Sequence, residues 1–299
     1  MLQPLQSHAT DTLFLAGAGR YPGGENKYGA VSLLDARAGQ VLARIEGRET
    51  NPDMGMCPVS IADSLDLDSD RLLEFVTVRP LATQAGRVSP PAVLEVWSGN
   101  TMLQLQGMLA RSLEDPDLRP MHRFLFDACG YSGVGTWVPD CDGDQQPDLF
   151  VSLYPEPGVV GAAYIHTMLS LTRGVIWERR PGLTAEEQQL GLLRGIHQVL
   201  AVEDLDGDGH RELAFLLVGS SDIWVRFVSS GDGSILGEFS TGTDIAGIPA
   251  EVGTARLRLL HIPDLDGDGF GQVLLPRVQT LPDGQPQCTL MLYDLKRLR

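Results

Sequence analysis

The stretch Asp204-Leu205-Asp206-Gly207-Asp208-Gly209-His210-Arg211-Glu212 decides how the rest of the chain is read. Its carboxylates stand at alternate positions, two glycines lie between and after them, and an acid closes the run at the ninth position. Such a loop offers the oxygen-rich cage that hard cations, calcium first among them, prefer. Three relatives of it occur. Asp66, Asp68, Asp70 and Glu74 repeat the spacing, as do Asp140, Asp142, Asp144 and Asp148, and Asp264, Asp266 and Asp268 do so with Gln272 at the ninth position. The four starts are separated by 74, 64 and 60 residues, so the chain repeats a unit several strands long.

The flanks of each loop are apolar and short. Gln198 to Val202 precedes the Asp204 loop, and Leu213–Val218, Ile223–Val228 and Ser234–Phe239 follow, the last two joined across a Ser230-Gly-Asp-Gly233 turn. Runs of this length bounded by Gly, Ser and Pro turns mark antiparallel strands. The same order is expected around Asp66 (Val59–Ala62, Leu73–Val78, Ala92–Trp97, Thr101–Leu105), around Asp140 (Val134–Pro139, Leu149–Leu153, Ala163–Leu171, Gly174–Glu178) and around Asp264 (Leu257–Ile262, Val273–Leu275, Thr289–Tyr293).

The opening segment carries three runs, Thr12–Ala16, Ala30–Asp35 and Gln40–Ile45, without an acidic loop. The chain therefore divides into five units, about 1–50, 51–110, 132–180, 195–242 and 254–299. The first lacks a leading strand, the last lacks a clear fourth, and 111–131 and 181–194 are insertions. Within the second insertion, Thr184 followed by Glu187 forms a capping box and predicts the one helix, over 181–193.

Repeating four-stranded antiparallel sheets bury both faces most simply as the blades of a radial β-propeller, here one all-β domain spanning 1–299. A two-layer sandwich gives no reason for the same acidic loop to recur after the first strand of successive units. An EF-hand is excluded, because it needs a Glu at the twelfth position and flanking helices. That position holds Val151, Phe215 and Leu275 in three copies, each inside an apolar run. The metal-free alternative is an ordinary turn, with Asp side chains accepting nearby backbone N–H groups.

The loops resemble FG-GAP repeats, the units of the integrin α-subunit β-propeller and of many bacterial extracellular proteins. Gly55-Met-Cys-Pro-Val-Ser60 and Tyr131-Ser-Gly-Val-Gly135 correspond to the family's Phe-Gly-like start, and Gly17-Ala18-Gly19 to its turn. The resemblance implies bound calcium. It makes Asp204, Asp206, Asp208 and Glu212 side-chain ligands, with the His210 carbonyl as the fifth. The equivalent sets are Asp140, Asp142, Asp144 and Asp148 with Gln146, Asp264, Asp266, Asp268 and Gln272 with Phe270, and Asp66, Asp68, Asp70 and Glu74 with Leu72. The glycines at the fourth and sixth positions are complete at Asp204 and Asp264, single at Asp140 and absent at Asp66, while Gln272 lowers the charge of its loop. Affinity is therefore expected to fall from Asp204, through Asp140 or Asp264, to Asp66.

Fifteen acidic side chains lie in the four loops, and four divalent ions would change the net charge from −16 to −8. The acidity argues against nucleic acid as a partner, since phosphate-binding surfaces carry excess Lys and Arg. No apolar run approaches the length of a transmembrane helix, and the N-terminus shows no secretory signal. Cys57, Cys129, Cys141 and Cys288 show no Cys-x-x-Cys pair, and the six histidines show no zinc-binding spacing. Neither a Gly-x-Ser-x-Gly elbow nor a third dinucleotide glycine after Gly17 and Gly19 is present. The expectation is a binding module for a protein or glycan partner, extracellular or at the cell surface by resemblance, with structural calcium. The alternatives are a polysaccharide lyase or hydrolase module and a structural fragment of a larger surface protein.

Overall fold

A computed structural model describes residues 2–4, 13–18, 30–35, 37–46, 57–61, 65–80, 91–105, 111–112, 118–126, 133–153, 164–179, 195–219, 222–243, 257–265, 267 and 269–298. The chain is all-β and falls into two compact units. One comprises Met1–Gly133 with Ser152–His166, the other Val134–Val151 with Thr167–Arg299. Among the described residues no helix is long and apolar enough to cross a membrane.

In the first unit, β1 (Leu2–Pro4), β2 (Leu13–Ala18), β3 (Ala30–Asp35) and β4 (Gln40–Glu46) form an antiparallel meander. The opening repeat thus has a leading strand, contrary to expectation. Leu2–Pro4 is three residues long and carries no alternation from which a strand could be read. Asp35 closes the β3–β4 turn by accepting the N–H groups of Arg37 and Ala38.

The second sheet contains β5 (Cys57–Ile61), β6 (Phe75–Pro80), β7 (Ala92–Trp97) and, after α1 and the short β8 (Arg111–Ser112), β9 (His122–Phe126). Two expectations fail here. Thr101–Leu105 is not a strand but belongs to α1 (Gly99–Gln104) and its C-cap, with Ser98 as N-cap accepting from the Asn100 N–H. Met102 and Leu105, three apart, both turn into the core, which is helical rather than strand periodicity. The fourth strand is instead β9, inside the segment read as an insertion. Its Arg123 pairs across to the buried Glu95 of β7, which Arg79 also approaches. Val31, Leu33, Ala43 and Ile45 of the first sheet pack against Phe75 and Trp97 of the second, with Met102 of α1 in the same cluster, so the two sheets lie face to face.

Three further groups of antiparallel strands follow in sequence order. They are β10 (Gly133–Val138) to β13 (Gly174–Arg179) by way of β11 (Asp148–Leu153) and β12 (Ile165–Ser170), then β14 (Gly195–Ala201), β15 (Leu213–Val218), β16 (Ile223–Val228) and β17 (Ile235–Ser240), and last β18 (Leu260–Ile262), β19 (Gln272–Thr280) and β20 (Pro286–Asp294). The last sheet has three strands, as read from the sequence. The helix expected over 181–193 lies outside the described residues.

Phe150 of β11 meets Phe215 of β15, with ring centroids 5.2 Å apart. Val225 and Phe227 of β16 share a core cluster with Val273 and Leu275 of β19. Gln198 of β14 clasps the backbone ahead of β18, donating to the Leu259 carbonyl at 3.0 Å and accepting from its N–H at 2.9 Å. Every residue of β10 and β11 is buried, whereas β13 and β17 are mostly exposed or half-buried. Burial therefore fades from β10 and β11 to β13 and is low at β17, and each acidic loop joins a first strand to a second.

Candidate cation sites

Among the described residues, the four loops share one hydrogen bond and two left-handed positions. The first Asp accepts the N–H of the sixth residue in each, Arg71 to Asp66 at 2.8 Å, Gln145 to Asp140 at 2.7 Å, Gly209 to Asp204 at 2.9 Å and Gly269 to Asp264 at 2.8 Å. The fourth and sixth residues have positive φ throughout, as Gly207 and Gly209, Gly267 and Gly269, Gly143 and Gln145, and Ser69 and Arg71. The Asp66 loop thus reaches the same shape without glycine, at a strain of about 1–2 kcal/mol per residue. Lacking glycines, it is expected to bind a cation most weakly of the four. The contacts made around it override the backbone preference.

Carboxylate oxygens converge in three loops. One atom from each of Asp204, Asp206, Asp208 and Glu212 lies within 4.8 Å of the others, and the same holds for Asp66, Asp68 and Asp70 and for Asp140, Asp142 and Asp148. The seventh-position N–H donates to the fifth-position Asp in all three, from His210 to Asp208, Leu72 to Asp70 and Gln146 to Asp144. Asp144 is not drawn into its cluster. Its second oxygen is held by the hydroxyls of Ser170 and Thr172.

The ninth-position acids are the least exposed members, with Glu74, Asp148 and Glu212 all at 0%. One oxygen of each is satisfied by a backbone N–H, from Leu67 to Glu74 at 2.5 Å, Cys141 to Asp148 at 2.6 Å and Ser230 to Glu212 at 3.2 Å. The other oxygen, Oε1 or Oδ1, has no partner. A buried, unpaired carboxylate oxygen is costly, which favours the protonated acid. Burial first, and then the Asp charges of the same loop, push Glu212 up to about 8, Glu74 to about 7 and Asp148 to about 6. A divalent ion among the three aspartates would remove both penalties at once.

The Asp264 loop is built differently. Asp266 and Asp268 lie outside the described residues, but Gln272 is fully partnered. Its oxygen accepts from the Leu265 N–H at 3.1 Å, and its NH2 donates to the Phe270 carbonyl at 3.1 Å. The carbonyl that the resemblance assigned to a cation is thus already hydrogen-bonded.

A second set of residues around the loops is not signalled by the ligand spacing. It lies where each third strand ends. The Ser98 hydroxyl reaches Asp68 at 3.3 Å, and Arg173 holds the Asp142 carbonyl at 2.8 Å with its guanidinium 3.7 Å from the carboxylate. Ser229 and Ser230 turn the backbone over Glu212. The available signal was a serine directly after, or at the end of, three successive third strands, namely Ser98, Ser170 and Ser229. Cys141 and Cys288 are free thiols, and burial pushes Cys141 up to about 11. No family model matches the chain, and no characterised protein is significantly similar to it in sequence.

Proposed function

We propose that the chain is a calcium-stabilised β-propeller of the FG-GAP kind, acting as a binding module for a protein or glycan outside the cell. One observation carries the calcium assignment. In three loops a fully buried ninth-position acid keeps one oxygen unpartnered beside a set of aspartates. The donors are all oxygen and the loops carry three or four carboxylates, which suits the six to eight ligands of calcium better than the octahedron and retained waters of magnesium.

The ion acts as a staple, tying the first strand of a repeat to the second and neutralising clustered carboxylates. Supporting the propeller are the sequence-ordered groups of strands, their face-to-face packing and the loss of burial at β13 and β17. The extracellular assignment rests on the family resemblance and on the millimolar calcium there, which fills even weak sites.

The test is thermal unfolding with chelator, magnesium or millimolar calcium. Calcium at 100 times Kd stabilises by about 2.7 kcal/mol per site. Calcium should therefore raise Tm well beyond the magnesium effect, and Asp206→Ala should lose part of the gain. A Tm indifferent to calcium overturns the assignment.

A further inference from the structure

The loops of the third and fourth repeats touch through one turn. Ser230, between β16 and β17, donates its N–H to Glu212 Oε2 at 3.2 Å, and its hydroxyl lies 3.5 Å from the Cys141 thiol. Cys141 in turn donates its own N–H to Asp148 Oδ2 at 2.6 Å. The Ser230 carbonyl is fixed by the indole N–H of Trp177, on β13 of the third repeat, at 2.7 Å. The Trp177 ring lies against Gly233, where a Cβ would stand 2.9 Å from the ring. The chain of contacts thus runs from Glu212 Oε2 to Asp148 Oδ2, and the other oxygen of each acid, Oε1 and Oδ1, has no partner. Both residues are fully buried.

Resting on the calcium reading above, we infer that the Asp140 and Asp204 loops load calcium cooperatively, with Ser230 and Trp177 as the positioning residues that couple them. An ion at Asp204 fixes Glu212, which fixes the Ser230 N–H. The turn, clamped by Trp177, then holds Cys141 and Asp148 where the second ion needs them. The first ion to bind bears the ordering cost of the shared turn, so whichever binds second binds more tightly. Coupling of this kind is reciprocal.

The experiment is a calcium titration of the full chain followed by amide NMR, because each loop carries its own reporter. Gly143 donates to Asp140, and Gly207 and Gly209 donate to Asp204. Asp206→Asn should raise the calcium midpoint seen at Gly143 by about 5-fold or more, and Asp142→Asn should raise that at Gly209 by the same factor. In a Trp177→Phe background both factors should fall toward one. Midpoints that ignore the other loop's variant overturn the coupling and leave the calcium reading standing. Glycine amides silent at millimolar calcium overturn both. The two aspartate arms test the coupling even where Trp177→Phe folds poorly.

Discussion

Glu212 divides its two oxygens between a serine N–H and a space facing three aspartates, and this division makes the stability of the metal-free protein depend on pH. An acid whose folded-state pKa lies above its unfolded value carries extra protons in the folded state between the two. Stability therefore falls as pH rises through that window. For Glu212 it runs from 4.5 to about 8, for Glu74 from 4.5 to about 7 and for Asp148 from 3.8 to about 6. Chelated protein should thus melt at lower temperature at pH 8 than at pH 5.5. In saturating calcium, which needs the ionised acids, the trend should reverse, and melts at both pH values with and without chelator check it. Gln272→Glu should place a fourth buried acid in the same predicament, lowering Tm in chelator and restoring it in calcium. Gly209→Ala isolates backbone strain, because φ is +91° and nothing stands within 4 Å of the added methyl. It should cost about 1 kcal/mol, measurable by denaturant titration in calcium. At this scale the clustering of the carboxylates was legible, since alternate acids and a ninth-position acid are a matter of spacing. The serines that lean on them were not, because their contact arises only when the third strand returns beside the loop.

Among the elements, α1 shows what a short apolar run leaves open. Thr101-Met102-Leu103-Gln104-Leu105 fits a strand by composition, but Met102 is fully buried together with Leu105 in a cluster that includes Leu33 and Trp97. Met102→Ala should cost about 2–5 kcal/mol, whereas the volume-conserving Met102→Leu should cost less than about 1.5 kcal/mol. Equilibrium unfolding of the two variants separates a core helix from an exposed connection. β9 went unread for a related reason. His122 to Phe126 alternates, yet what fixes it as the fourth strand is Arg123 beside Glu95, a pairing between residues 28 positions apart. Strands adjoining the acidic loops were legible because the loops mark their ends. Where no loop stands, at β1 and β9, tertiary pairing decides.

For the molecule as a whole, the cation loops are unevenly shared. One lies in the unit containing β1–β9, three lie in the other, and the first repeat has none. Hydrogen exchange with and without calcium should show the largest added protection at β11 and β15, which follow the Asp140 and Asp204 loops, and the least at β2–β4. Uniform protection would point to nonspecific charge neutralisation instead. Loading the three loops that end in an acid would bring the net charge from −16 to −10. The resulting loss of self-repulsion should appear as a smaller hydrodynamic radius at low salt, measured by dynamic light scattering. The fifth repeat stands apart, since Gln272 closes its own loop through Leu265 and Phe270. With a neutral, hydrogen-bonded ninth residue in place of a buried acid, its sheet should form while calcium is scarce. Pulse-labelled refolding in chelator should find β19, like β2–β4 of the loop-free first repeat, protected ahead of β15, so that the first and last repeats take shape before those between them.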